Sequence, residues 1–224
     1  WIVSILSSAV AVKAFFVVSG FLIFTSFERS SSLGSYARKR IRRIYPAYFT
    51  VVMLCAIFLV AVSSKSIGDY FSLAWIKYLV ANLAFLNFLQ PTLPGVFETN
   101  KIAAVNGALW TLKIEAMFYL AVPLFVLLMR RFSRLPILIL VYCSSVAYSV
   151  LFAAVAARTG SGAYVELGRQ LPGQLSYFMA GAALYYFLPL FERRIEYFLL
   201  AAALILAANR SYPLPLLEPF ALAT

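Results

Sequence analysis

Glu115 is the residue of this sequence best placed to do chemistry. It lies in Leu109-Trp110-Thr111-Leu112-Lys113-Ile114-Glu115-Ala116-Met117-Phe118-Tyr119-Leu120 and is the one acid of eight well inside an apolar run; the other seven fall in gaps or at segment ends. An ionised carboxylate in such surroundings is costly unless a cation or donor from elsewhere faces it, or unless its pKa rises and it stays protonated. Two readings follow: an interior carboxylate that positions or accepts a proton, or a structural one bonded to a neighbouring helix. At about 100° per residue, Thr111, Glu115 and Tyr119 share a helix face, whereas Lys113 projects roughly 200° away from Glu115. Lys113 is therefore not the partner of Glu115 along the same helix.

The second constellation is basic, in Arg38-Lys39-Arg40-Ile41-Arg42-Arg43-Ile44-Tyr45-Pro46-Ala47-Tyr48. Arg40 and Arg43 are three apart, neighbours on a helical face, and guanidinium forks take phosphate oxygens in pairs. A phosphate-bearing cytosolic ligand such as an acyl-CoA would suit them; anchoring to anionic lipid headgroups would use the same residues. Pro46 is expected in the first turn of the next helix, where its missing N–H has no intrahelical partner.

The remaining candidates are weaker. Ser19 adjoins Gly20 in Ala14-Phe15-Phe16-Val17-Val18-Ser19-Gly20-Phe21-Leu22-Ile23. Small residues let membrane helices approach closely, so packing is the preferred reading there and at Gly181. A nucleophilic serine needs an adjacent base, and the chain contains no histidine. Lys13, Ser19, Trp110, Lys113 and Tyr119 are candidates to line a polar path through the apolar segments. Cys55 and Cys143 both fall inside apolar segments with no CxxC spacing, so neither a metal site nor a disulfide is expected.

The elements that must position these residues follow from composition. Of 224 residues, 63% are hydrophobic and only 12% charged, and the mean hydropathy is +0.90. A soluble domain has roughly 25% charged residues, so the expected class is an all-α, polytopic transmembrane bundle. A crossing needs about 20 apolar residues. Candidate segments are 9–27, 45–63, 73–90, 109–129, 135–156, 173–190 and 197–208, giving six to seven membrane segments in a single domain over 1–224. The last is short and is expected to run past Asn209. The chain opens at Trp1 in an apolar stretch and closes on Ala221-Leu222-Ala223-Thr224, and is expected to be truncated at both ends.

The formal charge of +11 is explained mostly by topology. Of 19 Lys and Arg, six lie between Arg29 and Arg43, three between Arg130 and Arg134, and two at Arg193 and Arg194. Short basic gaps between apolar segments follow the positive-inside rule, and no nucleic-acid partner is called for. If all three gaps share one side, an even number of crossings separates each pair, yet three candidates lie between Arg43 and Arg130. The segment 73–90 carries Lys77, Asn82 and Asn87 and runs into Gln90-Pro91-Thr92-Leu93-Pro94-Gly95. It is the one expected to be re-entrant, because irregular backbone at membrane depth must be buried in protein or line a cavity. An ordinary crossing, with the Arg130 group on the other side, is the alternative.

Three blocks, in order, resemble the bacterial acyltransferase-3 family of integral-membrane O-acyltransferases. Phe15-Phe16-Val17-Val18-Ser19-Gly20-Phe21-Leu22-Ile23 is close to FFVLSGFLI. Arg40-Ile41-Arg42-Arg43-Ile44-Tyr45-Pro46-Ala47-Tyr48 is similar to R-x-x-R-I-x-P-x-Y, and Leu109 to Pro123 resembles LWSLSVEEQFYLLWP. A fainter match is Tyr177-Phe178-Met179-Ala180-Gly181. The resemblance implies one helical bundle in the bacterial inner membrane, moving an acyl group, often acetyl from acetyl-CoA, onto a hydroxyl of an extracytoplasmic carbohydrate. It implies a donor-side role for Arg40 and Arg43 and a catalytic one for Glu115. Lys113 stands where Ser is common and Ala116 where a second Glu is common, so one carboxylate is available rather than two. The family's first helix carries an Arg followed by a His that the resemblance implies is the base. Neither is present here, so activity of these residues alone is doubtful and the base is expected on a helix preceding Trp1. The competing class is a multi-helix carrier of a polar or lipid-linked substrate, with Glu115 coupling protons and Lys13 or Lys113 as counter-charge.

Overall fold

The computed structural model describes residues 8–100, 103–209 and 215–223. Every regular element among them is helical: α1 (Ser8–Glu28), α2 (Leu33–Phe58) continued by a 3-10 turn (Leu59–Val62), α3 (Ile67–Tyr70), α4 (Leu73–Leu83), α5 (Leu109–Phe132), α6 (Arg134–Thr159), α7 (Gly162–Gly168), α8 (Leu171–Arg193), α9 (Ile195–Asn209) and α10 (Glu218–Ala221). Among the described residues four stretches are long and apolar enough to cross a membrane: Val10–Glu28, Leu33–Val62, Leu109–Phe132 and Arg134–Thr159. On α5 the exposed face is leucine, with Leu120 83% accessible and Leu124 and Leu127 on the same side. Such a stripe is at home against lipid tails, and the protein is a multi-pass membrane protein. Whether α9 continues past Asn209 lies outside the described residues.

Two compact units make up the chain, Trp1–Leu33 with Met117–Thr224, and Gly34–Ala116. In the first, α8 is the central helix, and its residues from Ser176 to Ala182 are buried on all sides. A helix covered all round must be approached closely. Gly20 of α1 and Gly181 of α8 provide that approach reciprocally: a Cβ on Gly20 would stand 2.1 Å from the Phe178 carbonyl oxygen, and one on Gly181 1.9 Å from that of Val17. Around this crossing lie Phe16, Phe24, Phe118 and Phe178, the last two stacked with centroids 3.9 Å apart. Pro189 lies inside α8, and the helix departs from helical backbone at Phe187, because a proline ring crowds the carbonyl four residues back and cannot donate to it.

At one end of this unit α1, α5, α6 and α8 meet through charged and aromatic side chains. Glu28 accepts from Arg130 (Nη2 to Oε2, 2.9 Å) and from the Tyr186 hydroxyl (2.9 Å), and the Arg134 guanidinium lies 4.7 Å from the Tyr186 ring centroid. The chain that leaves α1 at Glu28 thus returns to the same end at Arg130, so an even number of crossings separates them. Of the intervening helices, α2 and α5 are long enough. The helical part of 73–90 is only α4, 11 residues, about 16 Å against a hydrocarbon core of roughly 30 Å. The helix of this segment is too short to cross.

The unit Gly34–Ala116 is built from α2 and this short helix. Tyr36, Arg40, Tyr48, Val52 and Ala56 are buried and, with half-buried Ile44, form a stripe of period four along α2. The basic block belongs to that helix instead of to a loop before it. Pro46 is therefore interior, not in the first turn as its chemistry suggested, and leaves the Arg42 carbonyl without its intrahelical donor. Tyr48, Val52 and Ala56 join Tyr70, Tyr78, Leu93, Val96 and Leu109 in one apolar cluster.

Irregular backbone here is satisfied by side chains. Where α2 tightens into its 3-10 turn, the Ala56 carbonyl accepts from the Tyr70 hydroxyl (2.9 Å) and the Trp75 indole N–H (2.8 Å). Burial pushes the Tyr70 hydroxyl pKa up, so it keeps the proton it donates. Asn82 donates to the carbonyls of Tyr78 (2.9 Å) and Gln90 (3.0 Å), and the Asn82 carbonyl accepts from the Tyr48 hydroxyl (2.6 Å). α4 ends in a Schellman motif, Leu86 N–H to Ala81 O and Phe85 N–H to Asn82 O, with Phe85 in the left-handed position at φ 60°. That position favours glycine; the Phe85 ring stacks on Tyr48 at 4.3 Å. Gly95, at φ +70°, docks against Ser63 and Lys65, where a Cβ would meet the Ser63 hydroxyl at 2.5 Å.

Candidate functional site

The unit Gly34–Ala116 holds Arg40, Arg43, Trp110, Lys113 and Glu115. Glu115 is 3% accessible, Lys113 8% and Arg40 8%. Buried ionisable groups in a membrane protein mark functional ground, since each must be compensated. Lys113, Ile114 and Glu115 are buried consecutively, which spans about 200° of the helix, so both faces of α5 are covered in this turn. The helix geometry that separated Lys113 from Glu115 thus places the two ionisable groups on opposite sides of one covered turn.

Each buried cation has an aromatic neighbour. The Lys113 ammonium lies 4.8 Å from the Phe88 ring centroid, so the irregular stretch after α4 contributes to its surroundings. The Arg40 guanidinium lies 5.9 Å from the Tyr36 ring one turn earlier on α2. Arg43, in contrast, is exposed, as are Arg38, Lys39 and Arg42. The pair that spacing treats alike is divided into a buried member and an open one. Trp110 is half-buried, and Thr111 turns its hydroxyl to the Ala108 carbonyl at 2.9 Å.

The other candidates fall in the other unit. Ser19 is buried beside the Gly20 crossing, in keeping with packing, and Tyr119 is buried on α5 just past the unit boundary at Met117. Lys13 forms an ion pair with Glu218 at 2.6 Å, whose second oxygen accepts from the Tyr177 hydroxyl at 3.0 Å. Lys13 and Tyr177 line a cavity of about 610 Å³. Glu218 was not singled out from the sequence, because it stands 205 residues from its partner and no local pattern announces such a pair. Among the described residues no group of three or more His, Cys, Asp or Glu is placed to hold a metal, and both cysteines are free.

A family model described as an acyltransferase domain matches residues 1–215. The chain belongs to the acyltransferase-3 family. Among curated proteins, this acyltransferase domain is 30% identical over 140 residues to "Nodulation protein 10" of Rhizobium leguminosarum bv. viciae, covering 60% of the chain and 37% of that protein. It is 27% identical over 139 residues to an "O-acetyl transferase" of Shigella phage Sf6, covering 62% and 40%. It is 28% identical over 137 residues to "Acyltransferase MdmB" of Streptomyces mycarofaciens, covering 61% and 32%. The acyltransferase domain thus spans well under half the length of these relatives. No solved structure matches it.

Proposed function

We propose that the chain is part of a membrane-bound O-acyltransferase that moves an acyl group, most simply acetyl, from acyl-CoA to a hydroxyl of a carbohydrate outside the cytoplasm, in a bacterial inner membrane. The observation that carries this reading is the buried carboxylate of Glu115 in a unit that also buries Arg40 and Lys113, within a chain of this family. Relatives named acyltransferase and O-acetyl transferase support it.

In this reading the acceptor hydroxyl attacks the thioester carbonyl, the carbon–sulfur bond breaks, and the hydroxyl proton passes through a base to the departing thiolate. Glu115, buried in the same unit, takes or steers that proton. A histidine base, implied by the family resemblance, would have to come from outside these 224 residues. Arg43, exposed on the basic helix, meets the donor's phosphates first. Arg40, buried one turn away, fixes them with a paired guanidinium contact. Covered apolar walls keep water from hydrolysing the thioester.

The test is acyl transfer by membranes containing the full-length protein, supplied with acetyl-CoA labelled in the acetyl group. Label recovered as an alkali-labile ester on glycan supports the reading. Label that crosses the membrane without forming an ester contradicts it and favours a carrier.

A further inference from the structure

A second cavity of the unit Trp1–Leu33 with Met117–Thr224, about 580 Å³, uses none of the residues assigned to acyl transfer. Its walls come from α6, α8, α9 and α10 and the turns beside them, with Leu138, Met179, Phe187 and Leu190 among the lining side chains. Phe191, Phe198 and Phe220 make one wall an aromatic cluster, with Phe191 and Phe198 centroids 4.5 Å apart and Phe220 6.0 Å from both. Two lining side chains can donate a hydrogen bond. The Tyr142 hydroxyl is already given to the Leu216 carbonyl, and the Cys143 thiol is a weak donor.

Such walls accept hydrocarbon, and two further observations say in what form. The first is depth. From Leu135 to Cys143 α6 rises about 12 Å, and from Met179 to Leu190 α8 rises about 16 Å, close to one leaflet of a hydrocarbon core roughly 30 Å thick. The second is charge at one end of the groove. Arg134 begins the stripe that Leu138 and Tyr142 continue along α6 at intervals of four, and Arg194 stands in the chain between the wall residues Phe191 and Phe198. Arg29, Arg130, Arg131 and Arg193 share that end with Glu28, Glu192 and Glu196, so six guanidinium groups outnumber three carboxylates. A guanidinium rim over an apolar groove one leaflet deep matches a phosphate head carrying fatty tails. A further helix would seek small residues and polar partners, whereas apart from Ala180 and Ala183 these walls are bulky.

We propose that this groove binds one anionic phospholipid of the adjacent leaflet, its tails between α6, α8 and α9 and its phosphate on Arg134 and Arg194. The lipid is held and not consumed, so the proposal is independent of the acyl-transfer reading. Bound there, it ties the turn between α8 and α9 to the start of α6 and stabilises the unit by mass action.

The experiment titrates the full-length protein in detergent with phosphatidylglycerol or phosphatidylcholine of identical chains, followed by native mass spectrometry and by the melting transition. Phosphatidylglycerol is expected to bind at least about tenfold more tightly and to raise the melting temperature. The double variant Arg134→Gln, Arg194→Gln is expected to reduce that preference to within about threefold while phosphatidylcholine binding stays unmoved. Ala183→Trp, which fills the groove and leaves the arginines in place, is expected to weaken both lipids. In the unaltered protein the exposed Cys143 thiol is expected to react with maleimide when lipid is absent and to be shielded by phosphatidylglycerol. Equal binding of the two lipids, or a preference that survives both variants, overturns the proposal. So does displacement of the lipid by excess glycerol phosphate, which would mark a site for free phosphate. Shielding of Cys143 without lipid also overturns it, in favour of a second copy if the mass is that of a dimer and of another segment of the full-length chain if it is that of a monomer.

Discussion

The two units solve the same problem in different ways. Long helices satisfy their own backbones, so the unit containing α1 and α8 is assembled by close approach: Gly20 and Gly181 let each helix rest on the other's carbonyls. The unit Gly34–Ala116 contains a helix too short to cross and a loop that follows it, and there carbonyls of Ala56, Tyr78, Asn82 and Gln90 are met by side-chain donors. The contrast teaches where polar chemistry can be housed in an apolar protein. A region that already spends Tyr, Trp and Asn side chains on its own backbone is also the one that buries Arg40, Lys113 and Glu115.

The largest expected effect breaks the glycine crossing. Gly181→Ala puts a Cβ against the Val17 backbone, where no rotamer change relieves it, and should cost about 3 kcal/mol in detergent unfolding. Gly162→Ala, with open space at its Cβ, should be close to neutral in the same assay. Next is Asn82→Ala, which removes two donors from buried carbonyls and should cost about 2 kcal/mol, with new protease cleavage in the 84–90 stretch. A smaller effect sharpens the account of α4's end. Phe85→Gly should be more stable than Phe85→Ala by about 1 kcal/mol, since both lose the stack on Tyr48 but only glycine sheds the left-handed penalty. The smallest is Arg130→Ala: its guanidinium is 65% exposed, so losing the contact to Glu28 should cost under about 1 kcal/mol.

Much of this was legible in residue types. Apolar runs located every long helix, Gly20 and Gly181 announced a close approach, and Lys77, Asn82 and Asn87 flagged the segment whose helix is too short to cross. The start of α2 was not legible, because five basic residues and a proline read locally as a break, whereas Tyr36 and Arg40 continue the buried stripe one turn at a time. Burial of Lys113 on the face opposite Glu115 was hidden too, since a single helix's periodicity cannot tell which of its faces other elements cover. Glu218 with Lys13 is the extreme case, a contact between the two ends of the chain.

The central claim is that the buried carboxylate of Glu115 handles a proton. Its most direct test is the rate of labelled acetyl transfer by full-length Glu115→Gln, which keeps the side chain's volume and removes its basicity. The account predicts a loss of at least about 100-fold, with the melting transition close to that of the unaltered protein. Transfer at the unaltered rate, from a protein equally well folded, would contradict it.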